Sequence, residues 1–256
     1  MQVRDSRVTC LFVHGWAMNS RVWEPLLDKL PDWVDAEVMD LPGHGGRVAE
    51  SFTNLQSLTD DLLKKCRNIK QQYKPDQPLY LIGWSLGGLP CIQLAADHPD
   101  EVSGLTLVSS NPCFVSKENW VYGIDAGVFE QFSQSLKKDF SGTIRRFLSL
   151  QVKGSESGRL VLRELREKIL QQPRPHEANL DAGLEILKQV DLRNQLKKIK
   201  LPVTWVFGAQ DSLVKKQLAK ELDNSSVINK AGHAAFLSHT EEFLQQLIKT
   251  LSRIYR

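Results

Sequence analysis

The sequence predicts an α/β fold: a mostly parallel central sheet with helices on both faces and an all-helical insertion. Two observations carry it. Short apolar, β-branched runs that end in Gly or Pro turns alternate with stretches of helical periodicity, the pattern of a parallel sheet covered on both sides. From about residue 115 to 190 the strand signals stop and only amphipathic helices follow, which divides the chain into a core of 1–114 and 191–256 and a helical cap of 115–190.

In order along the chain, VTCLFVHG (8–15) reads as a buried strand stopped by glycine, and AEVMDLPGHGG (36–46) as a second strand ending in a Pro/Gly turn. SLTDDLLKKCRNI (57–69) places Leu58, Leu62, Leu63, Cys66 and Ile69 at helical spacing. PLYLIGWS is a strand, LGGLPCIQLAADHP a helix, and VSGLTLVSS a strand. The cap offers GVFEQFSQSLKKDFSGTIRRFLSLQ (127–151) and ESGRLVLRELREKILQQ (156–172), the latter stopped by Pro173. LPVTWVFGAQD and SSVINKAGH complete the strands, each followed by a helical pattern, and TEEFLQQLIKTLSRI is the last helix.

Composition narrows the function classes. With 256 residues, 41% hydrophobic and 25% charged, the chain is an ordinary globular protein. The N-terminal stretch lacks a signal h-region and no run of about eighteen apolar residues occurs, so a cytoplasmic protein without a membrane span is expected. Cys10, Cys66, Cys91 and Cys113 form no CxxC pair, and no His/Asp/Glu cluster has ligand spacing; buried thiols are expected, with no metal and no cofactor. A net charge of +3 does not call for nucleic acid. Its distribution is uneven, because residues 137–168 carry nine Lys or Arg against four Asp or Glu.

The motif with chemistry is GWSLG, 83–87, where a strand runs into G-x-S-x-G and then a helix. Side chains beside the serine would collide with neighbouring backbone in so tight a turn, so Gly83 and Gly87 are required and Gly88 relieves packing. Ser85 is thereby exposed at a helix N-terminus, where developing negative charge is favoured. A hydroxyl becomes a nucleophile only when a base takes its proton, and the base needs an acid to hold its tautomer. Asp211 follows the strand of VFGAQD and His233 follows the next, which supplies the chain order Ser, Asp, His. His239, six positions on, is the alternative base, and Asp191 and Asp223 are alternative acids that follow no strand end. His98 reads as a helix end, His176 as a solvated turn, and His14 as structural. The Leu86 N–H is one donor for an oxyanion, and the Trp16 N–H, freed by the turn at Gly15, is the other; Trp16 is also a candidate pocket wall.

HGWAMNSRVW, DLPGHG, GWSLGGL, SSNPCF, DFSGTIRRFLSLQVKGSES, GLEILKQVDLR and AGHAAFLSH together resemble the BioH esterases, the pimeloyl-acyl-carrier-protein methyl ester carboxylesterases of biotin synthesis within the α/β-hydrolase superfamily. The likeness runs over nearly the whole chain, cap included. It implies an α/β-hydrolase fold, Ser85 as nucleophile, His233 as base, Asp211 as its orienter, and Trp16 with Leu86 around the oxyanion. It further implies a substrate channel bounded by Phe147, Leu148, Ser149, Leu150 and Gln151 together with Trp16 and His233, and docking of an acyl carrier protein bearing a pimeloyl methyl ester through Arg146, Arg159 and Arg163. A monomer is expected. Where the family has a further arginine this chain has Gly142, with Arg145 close by, and its N-terminus begins nearer to HGW than is usual. Read by itself, the face with Arg159, Arg163 and Arg166 at i, i+4 and i+7 is a solvated face opposite the packing face of Leu162, Leu165 and Ile169; the resemblance turns it into a dock. A broad short-chain esterase with no carrier partner is the alternative, and the intact Ser, Asp and His set argues against a non-catalytic binding protein.

Overall fold

The structure, a computed structural model, describes residues 7–74, 76–153, 158–171 and 173–255; the side chains of 159, 168 and 170 are not among those described. Among the described residues six strands form one all-parallel sheet: β1 (Val8–Val13), β2 (Val34–Met39), β3 (Leu79–Trp84), β4 (Gly104–Val108), β5 (Val203–Gly208) and β6 (Ser225–Ile228), ordered β2-β1-β3-β4-β5-β6. β1, β3 and β4 are buried at every residue, as expected for strands covered on both faces. Alternation then sorts their side chains into two cores. Leu11, Val13, Leu81, Leu105 and Leu107 face one, and Val8, Cys10, Phe12, Ile82 and Trp84 face the other.

The first core is closed by α2 (Leu55–Gln72) and α3 (Gly88–Asp97). α2 starts at Asn54, whose side chain accepts the Ser57 N–H in a capping box, and buries Leu58, Leu62, Cys66 and Ile69. The second core is closed by α1 (Glu24–Leu27), α9 (Ala235–Ser238) and α10 (Thr240–Tyr255). Phe243, Leu247 and Leu251 of α10 are essentially inaccessible, and each such side chain contributes about 1.5–3 kcal/mol by leaving water.

Between β4 and β5 the chain forms α4 (Ala126–Lys138), α5 (Phe140–Gln151), α6 (Gly158–Leu170) and α7 (Glu177–Gln189), then the short α8 (Arg193–Leu196). The pattern over 127–151 reads as one helix, but the structure breaks it at Asp139. That residue's N–H closes α4 on the Ser135 carbonyl, and its carboxylate accepts the Gly142 N–H at 2.9 Å to start α5. Aspartate stabilises a helix start more than a helix interior, so the short polar side chain overrides the periodicity. The helical pattern after β5 likewise yields only a 3-10 turn, Lys216–Lys220. All four cysteines are buried and free. Among the described residues no helix is long and apolar enough to cross a membrane.

Candidate active site

β1 has β2 on one side and β3 on the other, so the strand order reverses between β1 and β3. In open parallel sheets the crevice at the carboxyl ends of such strands is where ligands bind. Ser85, straight after β3, stands there with φ at 53°, a left-handed conformation that L-residues avoid. The glycines around it are steric requirements. A Cβ on Gly87 would lie 2.5 Å from the His14 carbonyl oxygen, and one on Gly83 2.7 Å from Gly88 Cα. The β1 loop presses on the serine in turn, since a Cβ on Gly15 would lie 3.1 Å from Ser85 Cβ.

His233 and Asp211 arrive from the ends of β6 and β5. Both side chains are buried, and His233 Nδ1 donates to Asp211 Oδ2 at 2.8 Å. The other carboxylate oxygen accepts the N–H groups of Leu213 at 2.8 Å and Val214 at 3.0 Å, which fixes the carboxylate plane. With its proton on Nδ1, the imidazole has its basic lone pair on Nε2. That atom is buried and has no hydrogen-bond partner among the described residues. The His233 carbonyl accepts the Trp84 indole N–H at 3.0 Å, tying the histidine loop to the strand that carries the serine.

The competing groups are committed elsewhere. His239 Nδ1 sits 2.9 Å from Ser238 Oγ at the start of α10. Asp191 is bound by Arg193 and Lys117, and the Arg193 guanidinium beside it holds its carboxyl well below the usual carboxylate range. His98 closes α3, Asp223 is exposed, and His176 is an exposed residue before α7. His14 is fully buried, accepts the Leu41 N–H on Nε2 at 2.9 Å and donates from Nδ1 to the Gly15 carbonyl at 2.8 Å. Burial, reinforced by neighbouring His44, pushes it down to about 3, so it stays neutral although Asp40 is 4.0 Å away. It is a strut under the loop that presents Trp16.

Trp16 is buried, with its indole N–H donating to the Leu180 carbonyl at 2.8 Å and its ring edge-on to Phe132 and Phe147. Its main-chain N–H has no partner among the described residues. Leu86 follows the serine at the start of a 3-10 turn that leads into α3. A cavity of about 130 Å³ opens at Ser85, walled by Trp16, Phe114, Ile124, Val128, Phe129, Phe132, Phe147, Leu150, Leu184, Leu187 and Leu213. Among the described residues that line it, only the serine has a hydroxyl or charge. Of the FLSLQ segment, Phe147 and Leu150 reach this wall. Leu148 is turned into the second core, Ser149 Oγ donates to the Arg145 carbonyl, and Gln151 lies at the histidine loop. Phe129 and Phe132 of α4 and Leu184 and Leu187 of α7 were not singled out from sequence. Their helical spacing was the available signal, and spacing alone does not separate a cavity wall from a packed face.

On the cap surface, Arg146 donates to Thr143 Oγ1 at 2.9 Å and lies 3.8 Å from Asp139, while Arg163 pairs with Glu167 at 3.2 Å; both guanidiniums are largely exposed. The backbone of Arg159 lies on α6, but its side chain is outside the described residues. A Cβ at Gly142 would fall 1.9 Å from the Asp139 carboxylate that caps α5, so the cap as built here fills the space a larger residue would need.

Residues 9–240 match the family model described as the alpha/beta hydrolase fold. The chain belongs to the alpha/beta hydrolase family. Within it, the chain is 38% identical over 250 residues to the pimeloyl-[acyl-carrier protein] methyl ester esterase of Salmonella newport (strain SL254), covering 95% of this chain and 94% of that protein. It is 37% identical, with the same coverage, to the esterase of that name from Salmonella heidelberg (strain SL476). Among solved structures the hydrolase fold is matched by a bromoperoxidase from Bacillus anthracis (TM-score 0.85, 18% identity, 96% of this chain and 92% of that one). An esterase from Exiguobacterium antarcticum matches with TM-score 0.81, 19% identity and the same coverage. At these identities the two structures speak for the fold.

Proposed function

We propose that this hydrolase is a serine carboxylesterase that removes the methyl group from a pimeloyl ester carried on an acyl carrier protein, releasing methanol and the free carboxylate. The observation that carries the chemistry is a strained serine at the mouth of an apolar cavity, with a buried His–Asp pair from the two neighbouring strand ends. His233 takes the Ser85 proton as Oγ attacks the ester carbonyl, and Asp211 stabilises the imidazolium that forms. The Leu86 and Trp16 N–H groups receive the oxyanion. The tetrahedral intermediate collapses, His233 protonates the departing methoxide, and methanol leaves an acyl-enzyme. Water, deprotonated by His233, then releases the carboxylate and restores Ser85.

Support for the substrate comes from the relatives named for it, which match almost the full length of the chain, cap included. The cavity suits it, since Phe147, Leu150 and the α4 and α7 side chains offer apolar contact to a methylene chain. A chain threaded from a docked carrier keeps its thioester away from Ser85, so the ester alone reaches the nucleophile. Arg146, Arg159 and Arg163 form the dock for an acidic carrier, their positive charges raising the encounter rate and orienting it. The site of action is the cytoplasm.

Charge reversal tests the dock. Arg159→Glu with Arg163→Glu is expected to lower kcat/KM for the carrier-bound ester at least about tenfold, about 1.4 kcal/mol, and p-nitrophenyl butyrate hydrolysis less than about threefold. Equal losses on both would make the arginines cap supports, and no loss on either would favour the broad short-chain esterase.

A further inference from the structure

The end of α5 is wedged against the loop that carries His233, and it touches that loop on both sides of the histidine. The Gln151 carbonyl accepts the Ala234 N–H at 2.8 Å. On the other side, a Cβ on Gly232 would lie 2.9 Å from that same carbonyl oxygen and 2.8 Å from the Lys153 carbonyl, so backbone meets backbone there without slack. Gln151 is fully buried, and its side-chain N–H donates to the Phe147 carbonyl at 2.9 Å, one turn back, clamping the last turn of the helix. Its Oε1 is buried with no partner among the described residues.

The same turn of α5 faces the cavity. Phe147 and Leu150 form its wall, whereas Leu148, on the other side of the helix, packs into the core cluster that contains Ala234, Ala235 and Phe236. One helix end therefore has the acyl cavity on one face and the histidine loop on the other. A displacement of α5 of a few tenths of an ångström has to reach Gly232 and Ala234, because close-packed interiors transmit strain.

We propose that Gln151 is a positioning residue: by tying the last turn of α5 to the Phe147 carbonyl, it makes that turn, whose backbone meets the histidine loop, carry filling of the acyl cavity into the alignment of His233 toward Ser85. This rests on the proposed roles of Ser85 and His233. It assigns Gln151 no contact with substrate.

The test compares p-nitrophenyl acetate, too short to press on Phe147 and Leu150, with p-nitrophenyl hexanoate. In the unaltered protein kcat is expected to be higher for hexanoate. Gln151→Met, of similar volume but without the amide, is expected to lower the hexanoate-to-acetate kcat ratio at least about fivefold with the hexanoate KM changed less than about twofold. Gln151→Glu, which removes the N–H donor, is expected to do the same, and the low-field Nδ1 proton resonance of the His233–Asp211 pair should broaden in both. Equal kcat losses on the two esters, a KM increase at constant kcat, or an unchanged ratio would each overturn the proposal. Ser85→Ala is the separating control: an active Ser85→Ala protein would overturn the serine mechanism itself, whatever the Gln151 variants do.

Discussion

Asp211→Asn separates the electrostatic role of the carboxylate from its structural one. Asparagine is isosteric, and its carbonyl oxygen can still accept the Leu213 and Val214 N–H groups, now held at 2.8 and 3.0 Å. Its amide must then face His233 Nδ1, 2.8 Å from the atom it replaces. An amide N–H can only donate there, so the imidazole proton moves to Nε2 and the lone pair that should take the serine proton is lost. A tautomer error of this kind costs roughly ten thousandfold in kcat, about 5.4 kcal/mol of barrier. Asp211→Ala should be as inactive and also less stable, because the Leu213 and Val214 N–H groups, both part-buried, lose their acceptor at up to about 1–3 kcal/mol each. Initial rates on p-nitrophenyl butyrate and urea unfolding followed by circular dichroism give both numbers. An Asn variant keeping more than about a tenth of wild-type kcat, or an Ala variant of unchanged stability, would refute this account of the aspartate.

Other expectations follow from the same geometry. Ser85→Gly should be inactive yet more stable by about 1–2 kcal/mol, because glycine adopts a φ near 53° without strain; an unchanged or lower unfolding midpoint would contradict it. His233→Ala should lose nearly all turnover while His239→Ala keeps most of it, and rates of the two variants on one ester decide the matter. His14 bears on acid stability. Its folded-state value lies near 3 against 6.5 when unfolded, so between those limits the unfolded chain takes up a proton that the folded one refuses. Stability is therefore full above pH 6.5 and declines as pH falls toward 3, by about 2 kcal/mol between pH 6.5 and 5 from this residue. Urea midpoints across that range should fall, and His14→Gln should flatten the slope.

The central strands β1, β3 and β4 were legible because each is a short apolar run buried on both faces, with no polar face to blur the signal, whereas the edge strands β2 and β6 carry polar residues and show less plainly. The tight turn at Ser85 and the nearness of Asp211 to His233 were legible because strand ends are where the backbone aims side chains at the crevice, and the glycine spacing marks the turn. The break at Asp139 was hidden: Leu136, Phe140 and Ile144 continue the helical rhythm across it, and a cap is visible only once the side chain meets the Gly142 N–H. The cavity wall was hidden for a related reason. Phe129, Phe132, Leu184 and Leu187 look like ordinary packing residues until the cap is folded over the sheet. The contacts of Gln151 with Gly232 and Ala234 join segments some eighty residues apart through backbone atoms, which leave no mark on the amino-acid pattern.

The central claim is that Ser85 hydrolyses the methyl ester of a carrier-bound pimeloyl chain and leaves the thioester intact. Incubating the purified protein with pimeloyl methyl ester loaded on an acyl carrier protein, and following methanol release together with the mass of the intact carrier, tests it directly. The account predicts one methanol per carrier, a free carboxylate on an acyl chain that stays attached, and no reaction with Ser85→Ala. Release of the chain from the carrier, or turnover of free short esters with none on the loaded carrier, would contradict it.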